Sequence, residues 1–217
     1  MSPRLALFDL DNTLVDRAAA HRRWVERLVA DHGLGPGAVE WLIAEDGDGL
    51  TPKDRYFAAV KTRFDLREST EELWARYRTE KPALITPDPT IRAGLTRLRE
   101  RGWRIGIVTN GREDTQVATI MHAGLSGLVD GWAVSGAEGI RKPATELFAI
   151  AASRCGADLS LGGWMIGDSA EADVGGGRAA GLRTIWIDRG RIWRGGDAPN
   201  RIRPDATAAI ESLLAET

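Results

Sequence analysis

Short apolar runs at residues 4–8, 103–108, 163–167 and 183–187 alternate along this 217-residue chain with helical periodicity at 88–101, 113–123, 144–155 and 171–180. Strand-length apolar segments separated by helix-length ones are the pattern of repeated βαβ units, which bury a parallel sheet between layers of helix. Apart from Arg4, Arg104, Arg183 and Thr184 the runs are apolar, as strands covered on both faces tend to be. Parallel strands joined by right-handed crossovers all finish on one edge of the sheet, so residues just beyond each run become neighbours in space. The expected fold class is therefore α/β, a Rossmann-like parallel sheet with helices on both faces.

Chemistry-bearing residues sit at those strand ends. The first run leads into Asp9-Leu10-Asp11-Asn12-Thr13, two carboxylates one residue apart followed by a hydroxyl. Close carboxylates repel unless a cation or a shared proton offsets them, so the segment suggests a metal site with Asp9 free to act as a nucleophile. A polar turn after a strand has much the same composition, and the other strand ends decide between the two. The second run ends in Thr109-Asn110-Gly111, and the third leads into Asp168-Ser169-Ala170-Glu171-Ala172-Asp173. Lys142-Pro143 precedes the periodic segment 144–152, where a proline suits a first helical turn. Carboxylates, a lysine and a threonine at one sheet edge can hold a divalent cation and a phosphate together, which is what phosphoryl transfer requires.

The segments DLDNT, TN, KP and GDSAEAD, in this order and spacing, resemble the four motifs of the haloacid dehalogenase (HAD) superfamily of phosphohydrolases, over almost the whole chain. The resemblance implies an Mg²⁺-dependent phosphatase of small phosphomonoesters working through an aspartyl-phosphate. Asp9 is then the nucleophile, and Asp11 the acid for the leaving oxygen and the base for water. Thr109 and the Asn110 region bind phosphate, and Lys142 neutralises nucleophile and phosphoryl oxygens. Asp168 is a metal ligand with Asp9, the Asp11 backbone carbonyl touches the metal, and Asp173 either binds metal or positions Lys142. Family dehalogenases expel halide without an acid and lack the second aspartate, so Asp11 favours phosphatase chemistry. Thr109-Asn110-Gly111 and Ser135-Gly136-Ala137-Glu138-Gly139 resemble the branch holding nucleotidases and acylneuraminate-9-phosphatases. Candidate substrates are a sugar phosphate, phosphoglycolate or a nucleoside monophosphate. The alternatives are a phosphomutase of the same fold and a non-catalytic binding or regulatory protein.

Residues 14–87 fall outside the alternation and read as helices at 18–31, 37–44, 51–64 and 69–80, with breaks at Gly33, Gly35, Pro36 and 46–49. The insertion resembles the all-helical cap of type-1 family members, with 1–13 and 88–217 as the core and Lys81-Pro82 and Pro87-Asp88-Pro89 as the return hinge. Arg17 and His21, one helical turn apart, head the candidates for leaving-group contacts, ahead of Arg22, Trp24, Trp41, Arg55 and Tyr56. Trp24, Leu28, Trp41 and Trp74 read as cap core, and His21 by itself reads as a solvated surface histidine. Gly175-Gly176-Gly177 lacks the spacing and lysine of a phosphate loop and is expected to allow close packing beside the first strand. The arginine-rich segment 189–203 reads as a solvated loop before a last strand and a helix at 207–215.

A formal charge of −2 offers no strong attraction to nucleic acid or an anionic membrane, and no obligate protein partner is evident. A single cysteine, Cys155, excludes an intramolecular disulfide and suits a reducing compartment. No apolar run approaches the roughly 18 residues of a spanning helix, and Met1-Ser2-Pro3-Arg4 leads straight into a strand with no signal peptide, so the expected setting is cytoplasmic.

Overall fold

The computed structural model describes residues 4–216. They form two compact units, one made of the described residues up to Val15 and from Pro87 onward, the other of Asp16–Thr86. Strand β1 (Arg4–Phe8) opens the first, and the chain then passes into the second.

The second unit holds four α-helices, α1 (Arg17–His32), α2 (Ala38–Asp46), α3 (Lys53–Phe64) and α4 (Thr70–Ala83), each within three residues of its predicted span. Helix starts follow capping chemistry: Asp16 accepts from the Ala19 N–H, and Ser69 and Glu72 form a reciprocal capping box. Helix α1 ends at Gly33 with φ of 58°, a left-handed C-cap that glycine adopts without steric cost. Lys81 and Pro82, expected in a hinge, lie inside α4 instead, and Lys81 is buried. Trp24 fills the core of this unit, with its ring edge-on to Tyr77 at 4.9 Å and its Nε1 donating to Glu80. Trp41 and Trp74 are only half-buried.

His21 is not on the surface: only 2% of it is exposed, within the α1 stripe Arg17, Ala20, His21, Trp24, Val25 and Leu28. The helical phase that buries Trp24 also buries the residue one turn before it. His21 packs against Trp24, Tyr56 and Tyr77, and among the described residues neither ring nitrogen has a hydrogen-bond partner. Burial lowers its pKa to about 4, helped by Arg17, Lys53 and Lys81 and opposed by Asp46, so the ring is neutral near pH 7. Asp46, buried on the same side, takes two bonds from Arg17 at 2.7 and 2.9 Å and one from Lys53 at 2.5 Å. Burial alone would raise the Asp46 carboxyl, but these cations outweigh it and hold it at about 2.

These two groups predict acid lability. The unfolded imidazole protonates through about 6.5 and the folded one near 4, so acidification across that window favours the unfolded chain by about 3 kcal/mol. The Asp46 contribution persists above its unfolded value of 3.8 and is lost only as pH falls on through about 2. Urea unfolding of wild type and His21→Leu at pH 7 and pH 4 isolates the His21 contribution, since every other titrating group is common to both: the variant should change by about 3 kcal/mol less in the unfavourable direction on acidification, and an equal change in the two proteins would assign the lability elsewhere.

In the first unit the chain continues through α5 (Pro89–Glu100), β2 (Trp103–Thr109), α6 (Glu113–His122), β3 (Gly131–Val134), α7 (Ser135–Glu138), α8 (Thr145–Arg154), β4 (Trp164–Gly167), α9 (Gly176–Ala179), β5 (Arg183–Ile187), β6 (Arg201–Arg203) and α10 (Ala206–Leu214). The six strands form one sheet in the order β3-β2-β1-β4-β5-β6, every pair parallel. The order reverses at β1, where chain crossovers leave on opposite sides and open a crevice at the carboxyl ends. Leu5, Leu7, Val108, Ala133 and Met165 face Leu147, Phe148, Ala151 and Cys155 of the α8 region, forming the core on one face. Helices α5 and α10 pack together, so closely that a side chain at Gly94 would strike Ile210. Burial pushes the Cys155 thiol up to about 12, an inert core thiol rather than a reactive one.

Three local expectations change. The four-residue strand β3 carries too little pattern to be read beforehand. Pro143 precedes α8 by two residues rather than lying in its first turn. The glycine run packs not beside β1 but against Phe148 and Pro143 at Gly176, and against Met165 of β4 and Thr184 of β5 at Gly177. Among the described residues no helix is long and apolar enough to cross a membrane.

Candidate active site

Asp9 follows β1, and its N–H donates to the Ile166 carbonyl at 2.8 Å, extending the β1–β4 pairing by one residue. The chain then doubles back. The N–H groups of Thr13, Leu14 and Val15 converge on the Leu10 carbonyl, and Asn12 adopts φ of 61°, a left-handed conformation that asparagine tolerates better than most residues. This tight turn carries Asp11 to Gln116, whose Nε2 donates to Asp11 Oδ2 at 3.0 Å and to Thr109 Oγ1 at 2.7 Å. Thr109 itself ends β2 and is buried.

Lys142 lies at the centre. Its Nζ donates to Asp9 Oδ1 at 2.6 Å, to Asp173 Oδ1 at 2.7 Å and to the Val108 carbonyl at 2.7 Å, which uses all three ammonium protons. The loop bearing it is held by Asn110, whose amide donates to the Lys142 carbonyl and accepts from the Lys142 N–H. Burial would lower the lysine pKa, but the two carboxylates outweigh it and the ammonium is held above its ordinary value. Burial drives the Asp9 carboxyl well above its usual range, with Lys142 opposing and Asp173 and Asp168 adding to the rise.

Asp173 reaches the site from a π-helical turn, Ala170–Gly175, a geometry often found at functional sites. Its Oδ2 accepts from the Ser169 N–H at 2.9 Å, and a Cβ at Gly167 would fall onto its carboxylate, so glycine is required there. Asp168 follows β4. Burial and Asp173 push its carboxyl up to about 6, against the pull of Arg191 and Arg189.

Asp9, Asp168 and Asp173 can each bring a carboxylate oxygen within 4.8 Å of the other two. A compact, all-oxygen anionic donor set, with Asp9 and Asp173 buried and Asp168 half-buried, fits a hard divalent cation. The Asp11 carboxylate is not part of that group; its partner is Gln116.

The core residues expected from the sequence, Asp9, Asp11, Thr109, Asn110, Lys142, Asp168 and Asp173, are thus brought together by β1, β2, β4 and the segments that follow them. Arg17 and His21 belong to the other unit, where Arg17 is engaged by Asp46 and His21 by aromatic rings. Gln116, Arg189 and Arg191 were not expected. The arginines follow β5, and the rule that joined the other strand ends also applies there, although the surrounding charge disguises it as a solvated loop. Gln116, one turn into α6, carries no comparable signal.

Residues 3–181 match the family described as haloacid dehalogenase-like hydrolase. A glyceraldehyde 3-phosphate phosphatase of Pyrococcus abyssi is 30% identical, over 87% of this chain and 82% of its own. A phosphoglycolate phosphatase of Cupriavidus necator is 30% identical, over 96% and 89%. The crystal structure of a HAD phosphatase from Thermococcus onnurineus superposes with a TM-score of 0.67 at 24% identity, covering 97% of both chains. The chain belongs to the haloacid dehalogenase-like hydrolase family.

Proposed function

We propose that the protein is an Mg²⁺-dependent phosphatase of small phosphomonoesters, with Asp9 as nucleophile and Asp11 as acid and base. The observation that carries this reading is the division of labour between the two carboxylates. Asp9 lies against Lys142 and within reach of two further acids, whereas Asp11 is held apart by Gln116 beside Thr109.

In the first step an Asp9 carboxylate oxygen bonds to phosphorus while the bond to the ester oxygen breaks, and Asp11 gives its proton to that departing oxygen. In the second, Asp11 as carboxylate takes a proton from water, and the resulting oxygen attacks phosphorus. Phosphate leaves, Asp9 is regenerated and Asp11 is protonated again. Thr109 and the Asn110 backbone orient the phosphoryl group, and Lys142 neutralises its oxygens and Asp9 together. Asp9, Asp168 and the Asp11 carbonyl would hold Mg²⁺, with Asp173 fixing Lys142; bound there, the cation supplies charge neutralisation at the phosphoryl oxygens. The helical unit Asp16–Thr86 is proposed as the cap of the family pattern, with Arg17 and His21 as its candidates for leaving-group recognition. The named relatives favour small phosphorylated aldehydes and acids as substrates.

Phosphate release from a phosphomonoester panel, with Mg²⁺ and with chelator, tests this reading. Release should require the metal, and kcat/KM across the panel should rank the substrate class. Asp11→Asn, which also removes the base of the second step, should slow phosphate release from every ester; in the first turnover it should slow alcohol release from alkyl phosphates by about 10²–10⁴-fold while sparing that step for aryl esters with good leaving groups. Equal slowing of that first step across leaving groups would argue against the acid role, and no release from any substrate by the wild-type protein would remove the phosphatase reading.

A further inference from the structure

Asp168 is held by more than the acidic cluster. Arg189 Nη1 and Arg191 Nη2 donate to the same oxygen, Oδ2, at 3.1 and 3.2 Å. Arg191 Nη2 also donates to the Asp168 carbonyl at 2.7 Å, and the Trp186 indole N–H donates to that carbonyl at 2.9 Å. Arg191 is fixed in turn by the carbonyls of Asp188 and Ile187, and its guanidinium carbon lies 5.6 Å from the centre of the Trp186 ring. Both arginines follow β5 across a tight turn in which Arg189 adopts φ of 49° and Gly190 φ of 77°. This is a built arrangement, not a chance surface pairing.

Its charge arithmetic is informative. The three carboxylates Asp9, Asp168 and Asp173 face three cations, Lys142, Arg189 and Arg191. The cluster is therefore balanced before any metal enters. A divalent cation leaves two positive charges over, and a phosphate dianion restores the balance.

We propose that Arg189 and Arg191 form a cationic clamp on Asp168 that trades affinity for the metal against affinity for phosphate. The clamp opposes the cation for as long as the site lacks phosphate, and adds to the attraction for the dianion once the cation is bound. The arginines act through Asp168 and through their field, and are positioning residues, not catalytic ones. The inference rests on the metal reading proposed above.

The signature is a pair of opposite changes that a merely structural role would not produce. In Arg189→Gln/Arg191→Gln, Mn²⁺ binding without phosphate, followed by the EPR signal of the free ion, should tighten about 10-fold. Inorganic phosphate binding at saturating Mn²⁺, followed by calorimetry, should weaken about 10-fold. Arg189→Lys/Arg191→Lys, which keeps the charge and loses the forked hydrogen bonding, should remain within about threefold of wild type on both measures. Weakening of both ligands in the glutamine variant would mean that the arginines only orient Asp168, and would overturn the proposal. So would unchanged affinities, or lysines that behave like glutamines. Failure of the wild-type protein to bind Mn²⁺ would remove the metal reading and the clamp together, whereas binding unaltered by substitution removes the clamp alone.

Discussion

Asp9→Asn is expected to lower phosphate release on the order of 10⁴-fold or more, the scale of loss when the nucleophile of a covalent mechanism is removed. An amide oxygen at this position cannot form the acyl phosphate. The fold should survive, because Lys142 keeps Asp173 and the Val108 carbonyl as partners when the Asp9 charge is removed. Thermal unfolding should therefore stay within a few degrees of wild type while turnover and covalent labelling by phosphate both vanish. Turnover at the wild-type rate would sink the aspartyl-phosphate mechanism. Lost activity accompanied by a lost melting transition would point to a structural role for Asp9 instead.

Lys142→Met carries the second largest effect, and it falls on stability as well as catalysis. The ammonium is 4% exposed as a residue and joins two buried carboxylates whose oxygens lie 2.6 and 2.7 Å from it. Methionine fills the space but leaves both acids in a low-dielectric setting with their common counter-ion gone. Removing one side of a buried ion pair typically costs about 3–5 kcal/mol, most of it the burial of the charge left behind. Urea unfolding should show a loss of that size, with activity falling alongside. Millimolar Mg²⁺ should recover part of the lost stability, because a cation held by Asp9 and Asp168 would neutralise one of the two carboxylates left behind. A variant as stable as the parent would show that the carboxylates find other compensation, and that Lys142 is not the centre of the cluster.

Much of this was legible in the sequence because the physics behind it is local or topological. The apolar runs could only be strands covered on both faces, and the parallel order required their ends to meet, so Asp9, Thr109 and Asp168 could be assigned to one edge. The helices α1 to α4 were legible from their breaks and caps. The burial of His21 was legible in principle from the phase of α1, since the stripe containing Trp24 contains it, but a histidine after an alanine run looks like a surface residue when the stripe is not drawn. Lys81 and Pro82 looked like a hinge because proline usually ends a helix, yet tertiary packing carried α4 past them.

What the tertiary structure decided are the partnerships. That Gln116 joins Asp11 to Thr109, that Asn110 holds the loop of Lys142, and that Arg189 and Arg191 grip one oxygen of Asp168 all depend on side-chain directions set by packing between elements distant in sequence. The sequence by itself determined which strand ends meet and which charged residues meet there, because hydrophobic burial and crossover handedness are properties of pattern. Only the folded chain determined which charge answers which, because hydrogen bonds and ion pairs depend on distances of a few tenths of an ångström, and no pattern of residue types specifies those.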